Sequence, residues 1–236
     1  KLINKHKKFI NFRLIGMGGS ILGVEAIYQF LKHKIKKNFF FFSNLENKLN
    51  LKKNKKNTVN LVISKSGNTL ETIINSNILI KNNSKNIIIT ENNQNYLNHL
   101  VNKIKAEVVE HKNYIGGRYS VLSEVGMLPA ELMGLKEKKF KRLNYLIQRK
   151  SFINQLTLNV EKTLSLIKKG KYISVILNYD HKSENLLKWY QQLIAESLGK
   201  KSKGILPIIS TMPKDNHSLM QFYLDGPKKN FYTFFN

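Results

Sequence analysis

Short apolar runs alternate along this chain with stretches in which apolar residues recur every three or four positions. Residues 12–15 predict a strand, which ends in glycines. Residues 23–34 then place Val24, Ile27, Tyr28 and Leu31 on one face, as a helix would. Further strands are predicted over 39–42, 60–63, 87–90 and 107–110, and a helix over the stretch that follows Thr69 and runs through Ile80. The Lys/Asn-rich residues 44–60 read as a short helix or a solvated loop. Strands alternating with helices predict an α/β fold: a parallel sheet flanked by helices on both faces, with right-handed connections.

The pattern changes after Arg118. Residues 120–132 predict a helix with Pro129 inside it or at a break. Residues 136–169 are long, basic and helical, with a break near 150–152. A strand over 172–177, a helix over 184–198 and a strand over 205–209 then start a second α/β unit near Lys171. The expected organisation is a first α/β domain over 1–128, a helical connector over 129–170 and the truncated start of a second domain over 171–236. There is no short internal repeat and no Gly/Ser linker.

Composition narrows the picture. The 236 residues, 42% of them hydrophobic, suffice for one sizeable core or two small α/β domains. Without cysteine there is no disulfide and no thiolate metal site. The apolar runs are too short to span a bilayer, including the four phenylalanines within 38–43, so no membrane partner is expected. Residues 1–11 lack the apolar run and cleavage site of a signal peptide, and a cytoplasmic location is expected. The chain begins at Lys1 rather than Met, as a fragment would.

The formal charge of +25 invites a nucleic-acid reading. Lys, Asn and Ile rise together, however, and these residues share A/T-rich codons, so genome composition accounts for the charge. The basic residues show no aromatic interleaving, helix-turn-helix pattern or finger spacing, and no nucleic-acid partner is expected. A positive field would still attract a small dianion.

Two strand ends carry candidate chemistry. The first is Gly16-Met17-Gly18-Gly19-Ser20, between a strand and a helix. Glycines let a backbone approach a ligand closely, and a helix N-terminus favours anions. A dinucleotide fingerprint would need glycine at Ile21, and a P-loop would need Lys at Val24. A tight strand-to-helix turn explains these glycines equally well. The second is Ser64-Lys65-Ser66-Gly67-Asn68-Thr69, where hydroxyls and backbone N–H groups converge as a phosphate requires. An N-capping cluster is the alternative. In open α/β sheets ligands sit beyond the carboxyl ends of the strands, where both loops fall.

Further along, Gln192 and Glu196 are four apart and share a helix face, in a row with Lys188 and Lys200. An exposed Glu–Lys pair is the plain reading. The apolar residues Trp189, Tyr190, Leu193, Ile194 and Leu198 suggest instead a carboxylate in a dry setting, suited to general-base work. His217 lies in a polar loop after a strand, either facing solvent or shuttling a proton. Arg118 can hold a developing oxyanion, or pair with Glu124 or Glu110.

The loop 64–69 resembles the phosphate loop of the sugar isomerase (SIS) fold, a flavodoxin-like three-layer sandwich. Gly116-Gly117-Arg118-Tyr119-Ser120-Val121-Leu122-Ser123 resembles the signature of the glucose-6-phosphate isomerase family within it. The block 191–200 is similar to that family's catalytic helix, and Asn216-His217-Ser218 with Gln221 and Asp225-Gly226-Pro227 to its histidine segment. The blocks occur in family order from Gly16 to Pro227.

The resemblance implies interconversion of glucose 6-phosphate and fructose 6-phosphate, in glycolysis and gluconeogenesis, with no cofactor and no metal. It implies catalytic roles for Glu196 (proton transfer between C2 and C1), His217 (ring opening) and Arg118 (charge on a cis-enediolate). Ser64, Lys65, Ser66 and Thr69 would hold the phosphate, and Gly19, Ser20, Gly117 and Gln192 the sugar. It further implies a homodimer with the histidine supplied across the interface, and a longer chain whose C-terminal helix adds a lysine. A dual phosphoglucose/phosphomannose isomerase and a non-catalytic sugar-phosphate-binding regulator are the alternatives; Ser66-Gly67-Asn68 is closer to the general SIS pattern.

Overall fold

The computed structural model describes residues 2–45, 57–81 and 84–236; most of the stretch 44–60 lies outside the described residues. The chain divides into two compact units, Lys1–Glu137 and Lys138–Asn236.

The first unit runs α1 (Leu2–His6), β1 (Asn11–Gly16), α2 (Leu22–Phe30), β2 (Asn38–Phe42), β3 (Thr58–Ile63), α3 (Leu70–Leu79), β4 (Lys85–Thr90), α4 (Tyr96–Ile104), β5 (Glu107–Glu110) and α5 (Glu124–Leu132). Its five strands are parallel, in the order β2-β1-β3-β4-β5. The central strands carry apolar side chains on both faces because both faces are covered. Phe12, Leu14, Val59, Leu61, Ile63, Ile87 and Ile89 pack with Ile21, Val24, Val125 and Leu132 on one face. Ile15, Phe42, Val62 and Ile88 pack with Leu79 and Leu97 on the other. Each such side chain, once buried, contributes about 1.5–3 kcal/mol. The result is the expected sheet flanked by helices.

The chain leaves β1 toward β2 on one side and returns through β3 on the other. The loops after β1 and β3 therefore part at a topological switch point, where open α/β sheets bind ligands. A Cβ on Gly16 would lie 2.9 Å from the Ile63 carbonyl oxygen, so glycine lets the two strand ends sit side by side.

Two local departures have physical reasons. The helix expected over 120–132 begins only at Glu124, capped by the Ser123 hydroxyl, which accepts from the Val125 N–H at 3.4 Å. A 3-10 segment, Gly117–Leu122, precedes it. Helix α4 is absent from the expected elements, although Leu97, Leu100, Val101 and Ile104 recur at helical spacing behind the N-cap Asn95.

The second unit follows the short helix α6 (Glu137–Phe140) with α7 (Asn144–Ile147) and α8 (Lys150–Lys168). The expected long helical stretch thus breaks at Arg149, which is extended at φ −85° and ψ 114°. Then come β6 (Ile173–Asn178), α9 (Glu184–Leu198), β7 (Leu206–Thr211), α10 (Met220–Asp225) and β8 (Asn230–Phe235). The sheet is parallel, in the order β7-β6-β8. Its buried cluster is small: Val175, Leu177, Met212 and Tyr223. Helix α8 has no buried residue.

No helix among the described residues is long and apolar enough to cross a membrane.

Candidate active site

In the first unit the glycine-rich loop and the Gly117–Arg118 block meet. A Cβ on Gly19 would fall 2.5 Å from the Arg118 amide nitrogen and from the Gly117 carbonyl carbon. A Cβ on Gly23 would fall 2.5 Å from Val121 Cγ2, and one on Gly126 1.9 Å from the Val121 oxygen. Three glycines from two helices and a turn thus let residues 117–122 lie directly on the end of β1. The loop is a tight turn, one of the two forms its sequence allows, and its tightness is what seats Arg118. Gly117 differs: a Cβ there would meet nothing within 4 Å, and its backbone needs no positive φ. The space beside Gly117 is open, as the backbone's close approach to a ligand would require.

Arg118 is partly buried, with its guanidinium 4.9 Å from the Tyr119 ring centroid. Glu110, one of its suggested partners, pairs instead with Lys112 at 2.7 Å. Ser120 donates to the Gly117 oxygen at 2.6 Å and holds the turn that carries Arg118. Ser20 is buried at the end of the glycine loop.

The loop after β3 is held by its own hydroxyls. Ser64 Oγ lies 3.0 Å from Thr69 Oγ1 and accepts from the Gly67 N–H at 3.2 Å. The Asn68 N–H donates to Ser66 Oγ at 3.3 Å. Thr69 is the N-cap of α3, yet its hydroxyl makes no capping bond. The plain capping reading thus fails for Thr69, and the first turn of α3 offers backbone N–H groups that no cap side chain takes up. Ser66 and Asn68 are exposed, Thr69 is partly buried and Ser64 is buried.

Lys65 turns to other partners. Its ammonium donates to the Asn113 oxygen at 2.8 Å and pairs with Glu91 at 3.5 Å. Gly67 has φ +67°, and a Cβ there would come within 2.2 Å of the Asn95 side chain. Asn95 is buried; it caps α4 through the Asn98 N–H at 2.9 Å and bonds Thr90 Oγ1 at 3.3 Å. Asn68 Oδ1 accepts from the Tyr96 N–H at 2.9 Å. Helix α4 therefore buttresses the loop. Asn95 does not stand out in the sequence, because the surrounding Asn-rich stretch hides its cap signature.

In the second unit the Gln192–Glu196 pairing appears as the spacing predicts, with Gln192 Nε2 donating to Glu196 Oε2 at 3.0 Å. Gln191 donates to the Pro207 oxygen at 2.7 Å, which fixes α9 against the start of β7. The dry setting expected around Glu196 is not found. Glu196 is exposed, Tyr190 and Leu198 are exposed, and Leu187 alone is buried in α9. The apolar side chains of this helix lack enough of their own unit to bury them. Lys188 pairs with Glu184 at 2.9 Å rather than joining the Gln192 row.

His217 follows β7 and is exposed. Its turn is built on Asp215, which no sequence motif singles out. Asp215 Oδ2 accepts from the Thr211 N–H at 2.7 Å and Ser210 Oγ at 3.0 Å, and Oδ1 from Ser218 Oγ at 3.0 Å. Partial burial pushes this carboxyl up, but the bonds from Thr211, Ser210 and Ser218 and the Lys214 charge outweigh it and hold it below its ordinary value. Glu196 lies past Pro207, toward the amino end of β7, whereas His217 lies beyond its carboxyl end. The second unit does not bring them together: six residues of strand, roughly 17–20 Å, separate the two ends. Among the described residues no group of three or more His, Asp or Glu side chains is placed to hold a metal.

The sequence model of the family described as phosphoglucose isomerase matches residues 4–205. A glucose-6-phosphate isomerase from Methanocaldococcus jannaschii is 34% identical over 98% of this chain and 62% of its own length. One from Mycoplasmopsis pulmonis is 34% identical over 93% of this chain and 57% of its own. Among solved structures, a hypothetical protein from Thermus thermophilus superposes with a TM-score of 0.81 at 23% identity, over 99% of this chain and 62% of its own. A glucose-6-phosphate isomerase from Chlamydia trachomatis gives 0.69 at 21%, over 99% and 51%. At those identities the structures speak for the fold alone. The chain spans about 57–62% of the length of these two sequence relatives.

Proposed function

We propose that this chain, which belongs to the phosphoglucose isomerase family, takes part in the interconversion of glucose 6-phosphate and fructose 6-phosphate. The observation that carries the reading is the seating of Gly117–Arg118 on Gly19, which puts an arginine and an open glycine backbone beside the switch-point loops. A sugar-phosphate regulator needs the phosphate loop alone; it has no use for this second block.

The phosphate binds at the first turn of α3, taking hydrogen bonds from backbone N–H groups and from the hydroxyls of Ser64, Ser66 and Thr69. Lys65 adds charge at longer range, since Asn113 and Glu91 hold its ammonium. The sugar lies along Gly117, with Gly19 and Ser20 at its edge and Gln192 orienting it. His217 assists ring opening. Glu196 takes the C2 proton and returns it at C1, and Arg118 stabilises the enediolate oxygen between those steps. No cofactor is assigned to this proton transfer.

The opposite placement of Glu196 and His217 along β7 favours a homodimer in which each site takes His217 from the partner subunit. Exposure of Glu196 points the same way, since a second subunit can cover it. A coupled assay for fructose 6-phosphate, with glucose 6-phosphate and mannose 6-phosphate offered separately, tests the reading. Product from glucose 6-phosphate is expected; its absence from the longest form of the protein that carries this chain would overturn isomerisation.

A further inference from the structure

We propose that Arg13 is a positioning residue: its buried guanidinium holds the C-terminal end of α3 and reinforces the anion-binding character of that helix's N-terminal end. This rests on the phosphate-site reading above.

Arg13 is 5% exposed in the middle of β1, on the same side of the sheet as the buried Ile15, Val62 and Ile88. It stands level with Asn60 on β3, which stands level with Asn86 on β4. The three form a polar row across the sheet. Arg13 Nη1 donates to Asn60 Oδ1 at 3.4 Å, Asn60 Nδ2 to Asn86 Oδ1 at 2.8 Å, and Asn86 Nδ2 to the Ser84 oxygen at 3.2 Å. A guanidinium is among the costliest groups to bury, and a pairing carboxylate is the usual remedy. None of the hydrogen bonds described for Arg13 goes to a carboxylate. Its Nε is buried with no partner, and burial draws its ionisation below the ordinary value.

What Arg13 does meet is the end of a helix. Nη1 donates to the Leu79 oxygen at 3.3 Å, and Leu79 is the last residue of α3. The final carbonyls of a helix have no partner within it and carry its negative pole. At the other end of the same ten-residue helix, Thr69 leaves the first turn uncapped beside Ser64 and Ser66. A cation on the negative pole of so short a helix, about 15 Å long, leaves the positive pole facing the phosphate. The same strand that carries Arg13 ends in the glycine loop, so β1 fixes α3 at one end and seats Arg118 at the other.

The test measures binding of inorganic phosphate and of glucose 6-phosphate to the 236-residue chain by calorimetry. Arg13→Gln keeps a donor for Leu79 and removes the charge; Arg13→Lys keeps the charge. Arg13→Gln should weaken both ligands about three- to tenfold, as loss of one unit charge roughly 15 Å away would at an effective dielectric of about 20, while Arg13→Lys stays within about twofold. Circular dichroism confirms that each variant is folded; should Arg13→Gln fail to fold, the same comparison is made with Arg13→Met and Arg13→Lys. Equal affinities in the folded uncharged variant and the unsubstituted chain overturn the positioning role and leave the phosphate site standing. Equal weakening by Lys and by the uncharged variant overturns it too, because a packing role ignores charge. No phosphate binding by the unsubstituted chain overturns the site reading, and this inference with it.

Discussion

The two units hold their candidate residues by different means. In the first, backbone packs on backbone: Gly19 against Gly117–Arg118, Gly16 against Ile63, with Gly67 against the Asn95 side chain. Positions there are set by the sheet and by contacts too close for any added side chain. In the second, Glu196 and His217 stand on exposed surfaces, Glu196 beside Gln192 on α9 and His217 in the turn that Asp215 anchors. Binding of a dianion needs fixed donors, which one folded domain can supply. Glu196 is exposed, and the small buried cluster of its unit does not include it.

Substitutions can break this contrast. Glu196→Gln should lower kcat by about 10²–10⁴ and leave glucose 6-phosphate affinity nearly unchanged, measured by initial rates and by calorimetry on the longest form of the protein. A large loss of affinity instead would move Glu196 from chemistry to binding. Gly19→Ala should cost about 1–3 kcal/mol in denaturant unfolding and weaken phosphate binding as well, since Arg118 must shift. Gly117→Ala sharpens the point. With open space around it, stability should change by less than about 0.5 kcal/mol, yet sugar-phosphate affinity should fall about 10- to 200-fold. If stability falls and affinity does not, the open space is not a substrate position.

Much of the first unit is legible in the sequence. Apolar runs such as 61–63 mark strands covered on both faces, and hydroxyl-rich Ser64–Thr69 lies where an open sheet binds anions. Steric closeness is not legible. Nothing in Gly16–Ser20 says that Gly19 must admit the Gly117–Arg118 peptide, because that contact joins residues about a hundred positions apart. Asn95 and α4 are masked by Asn-rich composition, although Leu97, Leu100, Val101 and Ile104 carry the period. In the second unit the helix 184–198 is legible to the residue, but its apolar side chains suggest a cover that they do not provide. The polar loop before His217 hides Asp215, whose bonds are all to residues within five positions.

Smaller effects refine the second unit. Asp215 is held below its ordinary pKa when folded, so its contribution is present above the unfolded carboxylate value, near 4, and is lost as pH falls through the lower folded value. Acid titration followed at the His217 ring protons should therefore show the loop loosening only below about pH 4. With Asp215→Asn the loop should be looser already at neutral pH, at a stability cost of about 1–2 kcal/mol. Lys65→Met should weaken phosphate binding less than about threefold, because that ammonium is already engaged by Asn113 and Glu91.

The central proposal is that the loop 64–69 and the first turn of α3 bind the phosphate. Calorimetric titration of glucose 6-phosphate against glucose, on the 236-residue chain alone, measures it directly. Glucose 6-phosphate should bind at least about 100-fold more tightly, through charge-assisted bonds that glucose cannot make. Equal affinity for the two sugars would contradict the account.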